Sequence, residues 1–190
     1  MVESLTILNW WDYLAVFMIT FFGLPHGAFD AAVGISIGFY NDNKRRLLFL
    51  ISYLSLSLLV CVLWYFFAEL VLIIFLFASI FHFGLGDIKW ENKISYYLSG
   101  YFNGGIVVLG ISFLHFSEVN PIYSLLVGYN PTYLWLFLKA GAVLWLCLLP
   151  FHIYFNWSKF DKNYIICLLL ISSCIIFLPP LLGFSFYFCF

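Results

Sequence analysis

Charged residues are unusually scarce in this chain. Lys, Arg, Asp and Glu together make up 9% of its 190 residues, whereas hydrophobic residues make up 65%. A soluble domain is usually about 25% charged, and a soluble fold of this length leaves roughly a third of its unfolded-chain surface in contact with water. The composition therefore excludes a soluble globular domain and indicates a protein whose solvent is lipid.

The sequence also lacks the features of several other protein classes. Its net charge of −1 provides no basic surface for nucleic acid. Its five cysteines lie in apolar stretches without a CxxC pair, which argues against a disulfide framework and against a zinc site. The N-terminus has no basic segment followed by a small-residue cleavage site, so we expect no removable signal peptide.

Common catalytic motifs are missing as well. The sequence has no Gly-rich phosphate loop, no HExxH and no GxSxG. Its four histidines are isolated from one another, whereas membrane desaturases and hydroxylases need many clustered histidines. These enzyme classes are therefore excluded.

Long apolar runs predict an all-α, polytopic transmembrane helical bundle with about six spans, because one span needs roughly 20 apolar residues. Residues 47–86 are too long for one span and predict two, joined by a tight turn near Ala68 and Glu69. In the first span, the triplet Gly23-Leu24-Pro25 is expected to bend or break the helix. The predicted spans cover residues 13–38, two spans within 47–86, 95–116, 132–154, and a sixth from Tyr164 to the end of the chain.

Basic residues are concentrated in alternate connections. Seven of the eight Lys and Arg residues follow spans one, three and five, namely Lys44, Arg45, Arg46, Lys89, Lys93, Lys159 and Lys162. The other connections contain acidic residues and no basic ones. This positive-inside pattern places the N-terminus outside the cytoplasm, and Trp10, Trp11, Trp90 and Trp157 are expected to anchor the spans at the interfaces.

The last span stops at Phe190 without a polar or basic flank. Natural spans normally end in interfacial residues. We therefore expect residues 1–190 to form a single transmembrane domain that lacks its C-terminal part.

Two histidine–aspartate pairs lie inside the apolar spans, where a titratable side chain is costly and suggests function. His26 and Asp30 are four residues apart and would share a helix face in span one. His82 and Asp87 are five apart at the cytoplasmic end of span three, where two glycines can relax the backbone. Spans one and three run in the same direction. The two imidazoles could therefore share one Fe, Zn, Cu or Ni ion, with the aspartates accepting the other ring N–H.

Simpler interpretations stay open for each of these residues. A lone His in a helical bundle more often makes an interhelical hydrogen bond than binds a metal. Asp87 is equally well explained as an interfacial residue before Lys89. Lys139 in span five is expected to snorkel to the outer interface, and His115 and His152 are expected to be interfacial.

Aromatic residues make up 23% of the chain and occur in tracts such as residues 64–67 and 184–188. Such tracts could line a slot for a long apolar ligand. Packing between helices and contact with lipid would explain most of them equally well.

The two histidine segments resemble a known family. GLPHGAFDAA (23–32) and SIFHFGLGD (79–87) look like the paired signature stretches of the Brp/Blh family, whose enzyme members are bacterial β-carotene 15,15′-dioxygenases. Asn103-Gly104-Gly105 resembles a family segment that has His in place of Asn103. The run from Pro179 to Phe190 resembles the family's approach to a WHS..H or IHS..H motif. The resemblance covers essentially the whole chain.

This resemblance implies an iron enzyme of the bacterial inner membrane. Its Fe(II) would be held by four histidines, of which His26 and His82 match the first two, and the second pair would lie just past Phe190. Asp30 and Asp87 would support the two ligands. The implied reaction cleaves the central 15,15′ double bond of β-carotene with O₂ to give two retinal molecules, with a link to a retinal-binding opsin. The protein itself would supply a dry apolar slot.

The rival hypothesis is a protein without catalytic activity. It could be a carotenoid- or retinal-handling membrane protein, or a small transporter with His/Asp proton sites. A pair of histidines a few residues beyond Phe190 would favour the enzyme.

Overall fold

The computed structural model describes residues 9–23, 32–40, 42–85, 93–157 and 160–189. Within these ranges every regular element is helical, which confirms the all-α prediction. A short helical turn covers residues 32–36. The other elements are α1 (Trp10–Met18), a π-helical turn π1 (Ile19–Gly23), α2 (Asn43–Leu85), α3 (Lys93–Leu114), α4 (Phe116–Val127), α5 (Thr132–Asn156), α6 (Lys162–Phe177) and α7 (Pro180–Cys189).

Helix α3 is the central element of the bundle. It contacts α2, α4, α5, α6 and α7. In an apolar 18-residue stretch of α3, 56% is buried inside the bundle, compared with 11% in the corresponding stretch of α2 and 17% in that of α5. The outer helices thus turn apolar side chains away from the bundle, as membrane helices do. Among the described residues, α2, residues 94–114 of α3, and α5 are long and apolar enough to cross a bilayer, which indicates a membrane protein.

Helix α2 contains a kink at Phe67. The helix has 43 residues, and a straight helix of that size would be about 64 Å long, twice the roughly 30 Å of a bilayer core. Phe67 has φ −138° and ψ 47°, outside the helical region, and separates residues 43–66 from 68–85. The predicted turn near Ala68 and Glu69 is therefore a kink one residue earlier, without a loop. The total of six crossings stays a prediction.

The first predicted span, residues 13–38, is not one continuous α-helix. Its α-helical part ends at Met18, and π1 continues to Gly23, where the Gly-Leu-Pro triplet begins. Residues 32–36 are helical, and a turn follows in which Gly38 has φ 84°. Leu24 and Pro25 lie outside the described residues, so the bend or break expected at this triplet stays a prediction.

The sixth predicted span is also divided. α6 ends at Phe177 and α7 begins at Pro180. Pro179 has no backbone N–H, and its ring excludes the residue before it from the helical region. Leu178 accordingly has φ −92° and ψ 149°. The prediction of one span from Tyr164 to the end was therefore wrong, because two prolines outweigh the apolar composition.

Candidate functional site at the His82 end of the bundle

His82 lies in the last turn of α2 and its side chain is exposed. Its ring centre is 5.6 Å from that of Phe83. The other three candidates, His26, Asp30 and Asp87, lie outside the described residues. In the part of the chain that the structure describes, no three His, Cys, Asp or Glu side chains come together. The described residues therefore supply one imidazole to the predicted metal site.

Glycines hold the end of α2 tightly against α3. A Cβ atom added at Gly84 would overlap the carbonyl of Gly100, and one added at Gly104 would overlap the carbonyl of Ile80. Gly100 and Gly104 are four residues apart and form a GxxxG face, which allows two helix backbones to approach closely in a membrane. This contact fixes the turn of α2 that carries His82.

Helix α7 covers the same end of α2. The Tyr187 hydroxyl donates a hydrogen bond of 2.9 Å to the carbonyl of Phe83. That carbonyl belongs to the last turn of α2, where carbonyl groups lack partners within the helix. The Phe83 ring also lies 5.7 Å from Phe184, 5.5 Å from Tyr187 and 6.2 Å from Phe188, measured between ring centres. The predicted aromatic tract at 184–188 thus surrounds the residue next to His82.

A second face of α7 packs against α1 and π1. The Cys189 thiol donates to the carbonyl of Met18 at 3.5 Å, and the buried Ser185 hydroxyl contacts the Met18 sulfur at 3.9 Å. π1 then ends at Gly23, three residues before His26 in the sequence. Such π-helical turns occur frequently at functional sites. One short helix therefore joins the end of α2 to the segment that leads into the first histidine motif.

Glu69 is a buried carboxylate whose role the sequence did not reveal. Its Oε1 accepts a 2.8 Å hydrogen bond from the backbone N–H of Leu134, in the first turn of α5. Its Oε2 accepts a 3.2 Å hydrogen bond from the Tyr129 hydroxyl. A carboxylate at a helix N-terminus satisfies a free N–H and is favoured by the helix dipole. Glu69 therefore joins α2 to α5 at the end opposite His82.

The other polar candidates have structural roles in the bundle. His115 follows α3 directly, as expected for the end of a span, and its Nε2 lies 2.7 Å from the Ile175 carbonyl oxygen. His152 is near the end of α5, yet its ring is buried and stacked 4.4 Å from the Phe102 ring. The prediction that His152 faces the interface was therefore wrong. Lys139 is exposed, and its snorkelling to the outer interface stays a prediction.

Asn103, which replaces the His of the resembling segment, accepts a 2.9 Å hydrogen bond from the Tyr164 hydroxyl. This bond joins α3 to α6. The amide oxygen at this position is therefore engaged in helix packing.

Together, the fold and the site define a membrane-embedded helical bundle with an exposed histidine at one aromatic-lined end. The family described as Beta-carotene 15,15'-dioxygenase matches residues 17–190, which include both histidine segments. The chain belongs to this family.

A relative from Uncultured marine bacterium 66A03, named Beta-carotene 15,15'-dioxygenase, is 33% identical over 191 residues. The alignment covers 94% of this chain and 66% of the relative, so the chain spans slightly less than two thirds of the relative's length. No solved structure matches this chain.

Proposed function

We propose that this chain is the part of an iron-dependent β-carotene 15,15′-dioxygenase that carries its first two iron ligands, His26 and His82. The remaining two ligands would follow Phe190. The reaction would join each carbon of the central double bond to one oxygen atom of O₂. One β-carotene and one O₂ would therefore give two retinal molecules without a further reductant.

The observation that carries this proposal is the position of α7. It binds the last turn of α2 through Tyr187 and packs against π1, which leads into the His26 segment. The family match includes both segments. A helix that contacts both α2 and π1 would hold the two imidazoles at one end of the bundle.

The iron would supply the binding and activation of O₂. The chain's own residues would position and shield the reacting bond. The glycine contact between α2 and α3 would fix the His82 turn, and the ring cluster around Phe83 would provide an apolar surface next to it. Asp30 and Asp87 would each accept the second ring N–H of the neighbouring histidine.

The proposed location is the bacterial inner membrane, with the N-terminus outside the cytoplasm and the basic connections inside. β-Carotene dissolves in lipid, so the substrate would reach the bundle from the bilayer. A retinal-binding opsin is the partner that we expect to use the product.

The test uses an extended protein, in which the segment that follows the matched region in the relative is appended after Phe190. It is expressed in cells that accumulate β-carotene. We expect the carotene colour to be lost and two retinal molecules to appear for each β-carotene consumed. Absence of retinal, with the extended protein present in the membrane, would contradict the proposed activity and favour a carotenoid-binding protein without catalysis.

A further inference from the structure

A cavity of about 240 Å³ lies between α2, α3, α4 and α7. Its lining begins at Phe83 and Phe184, beside the residue His82, and continues to Leu72 and Tyr123. From Phe83 to Leu72, α2 rises by about 16 Å. The cavity therefore follows the second half of α2 away from the candidate metal site.

The side chains that line this cavity offer no free hydrogen-bond donor. All are hydrocarbon groups except Ser79 and Tyr123. The Ser79 hydroxyl donates to the Phe75 carbonyl at 2.8 Å. Ser112 donates to the Val108 carbonyl at 2.6 Å, which leaves its oxygen to accept the hydrogen bond from Tyr123 at 2.9 Å. A polar group of a ligand would lose its hydrogen bonds to water on entering the cavity and would find no new partner there. The lining therefore favours a hydrocarbon.

The size of the cavity further restricts its occupant. Pockets that bury a whole small-molecule ligand usually exceed about 300 Å³. This cavity is smaller, and its lining follows α2 from Leu72 to Phe83, the residue after His82. It suits one end of a long hydrocarbon whose middle lies at the candidate site.

We propose that this cavity binds one ring-bearing end of a hydrocarbon carotenoid, and that its length determines which double bond lies at the metal. This inference rests on the proposed function, because the position of the middle of the polyene is defined relative to His82. The ring lies toward α4, near Tyr123, and the polyene runs along α2 to Phe83. The cavity thereby acts as a ruler from the ring to the bond that is cleaved.

The test compares two substitutions on the same helix. Ile111 and Ile106 are both half-buried residues of α3. Ile111 lines the proposed carotenoid cavity, whereas Ile106 lines a different cavity of about 600 Å³ between α3, α5 and α6. The chain of residues 1–190 and its Ile111→Trp and Ile106→Trp variants are placed in vesicles that contain β-carotene, and the β-carotene bound per chain is measured by absorbance.

We expect Ile111→Trp to weaken binding about ten-fold, because the larger ring fills the cavity. Ile106→Trp should bind like the parent chain. Equal effects of the two substitutions, or no β-carotene bound by the parent chain, would overturn the proposal. If a lipid acyl chain is the true occupant, one of these two results is expected, and the proposal is overturned. If Ile111→Trp does not accumulate with its full helix content, Ile122→Trp fills the same cavity from α4.

The same substitutions in the extended protein separate this inference from the proposed function. Retinal formation that is unchanged by Ile111→Trp would overturn the cavity assignment and leave the activity intact. Conversely, Ile111→Trp could selectively lose β-carotene binding while the extended parent forms no retinal. That combination would support the cavity assignment and contradict the proposed activity.

Discussion

At the scale of single residues, Glu69 shows how a membrane bundle uses a carboxylate. The side chain is 6% exposed and accepts hydrogen bonds from the Leu134 amide and the Tyr129 hydroxyl. In the sequence it marked a turn between two spans. In the structure it caps the N-terminus of α5, a role that depends on a residue 65 positions away and is therefore not visible in a local pattern.

Glu69→Ala should destabilise the bundle by about 1–3 kcal/mol, because the Leu134 amide loses its acceptor in a buried position. Glu69→Gln keeps an acceptor and should cost about 1 kcal/mol or less. Unfolding in a denaturing detergent measures both. Glu118→Ala is the matched control, since its side chain is 54% exposed. A loss for Glu69→Ala no larger than that for Glu118→Ala would contradict the capping role.

Tyr187→Phe should loosen the end of α2 while keeping the ring packing. The substitution removes the hydroxyl that binds the Phe83 carbonyl, a contribution of about 1 kcal/mol, or roughly five-fold in an equilibrium constant. In the extended protein we expect iron affinity to fall by that factor with helix content unchanged. Tyr164→Phe, which removes the hydroxyl bound to Asn103, is the control. Equal losses of iron affinity would show that the effect is general packing.

At the scale of elements, the close approach of α2 and α3 depends on small residues. Gly104→Ala should force the helices apart, because its Cβ would overlap the Ile80 carbonyl, and should cost about 1–3 kcal/mol. Gly141→Ala is the matched control in α5, where a Cβ meets its nearest atoms at an ordinary 3.6 Å. That variant should be neutral or more stable by up to about 1 kcal/mol. Unfolding midpoints are measured for both variants. If Gly104→Ala and Gly141→Ala lower the midpoint equally, the proposed contact between α2 and α3 is contradicted.

The bounds of a helix could be predicted from the sequence where apolar length alone determines them. α3 and α5 begin and end within two residues of the predicted spans, because apolar length alone decides them. The prediction failed where proline competes with apolar composition, as at Pro179. The connection predicted between spans four and five contains α4, whose Val119 and Val127 are buried in the bundle.

The sequence allowed the residue types of the candidate site to be predicted, but not their contacts. The histidine segments and their likeness to a family identified His82. The sequence did not show that Tyr187 and the rings of α7 surround the neighbouring Phe83, because those contacts span about a hundred positions and depend on the break at Pro179. The placement of His26, Asp30 and Asp87 beside it stays a prediction.

At the scale of the whole molecule, the positions of the basic residues predict how the bundle is oriented in the membrane. The basic residues described at the start of α2 and α6 should face the cytoplasm, and the connection between α4 and α5 should face outward. Alkaline phosphatase inserted after Tyr129, in an exposed connection, should be active, whereas phosphatase inserted after Asp161 should not. The reverse pattern of activity would contradict the proposed orientation.

The central claim is that the His82 end of the bundle is a metal centre for carotenoid cleavage. The most direct measurement is the iron content per chain of the purified extended protein, with His82→Ala compared against His115→Ala. His115 follows the last residue of α3, far from the Gly100 turn that contacts α2, and its ring binds the Ile175 carbonyl of α6. We predict that the parent and His115→Ala retain iron and that His82→Ala loses it together with retinal formation. Retention of both iron and retinal formation by His82→Ala would contradict the account.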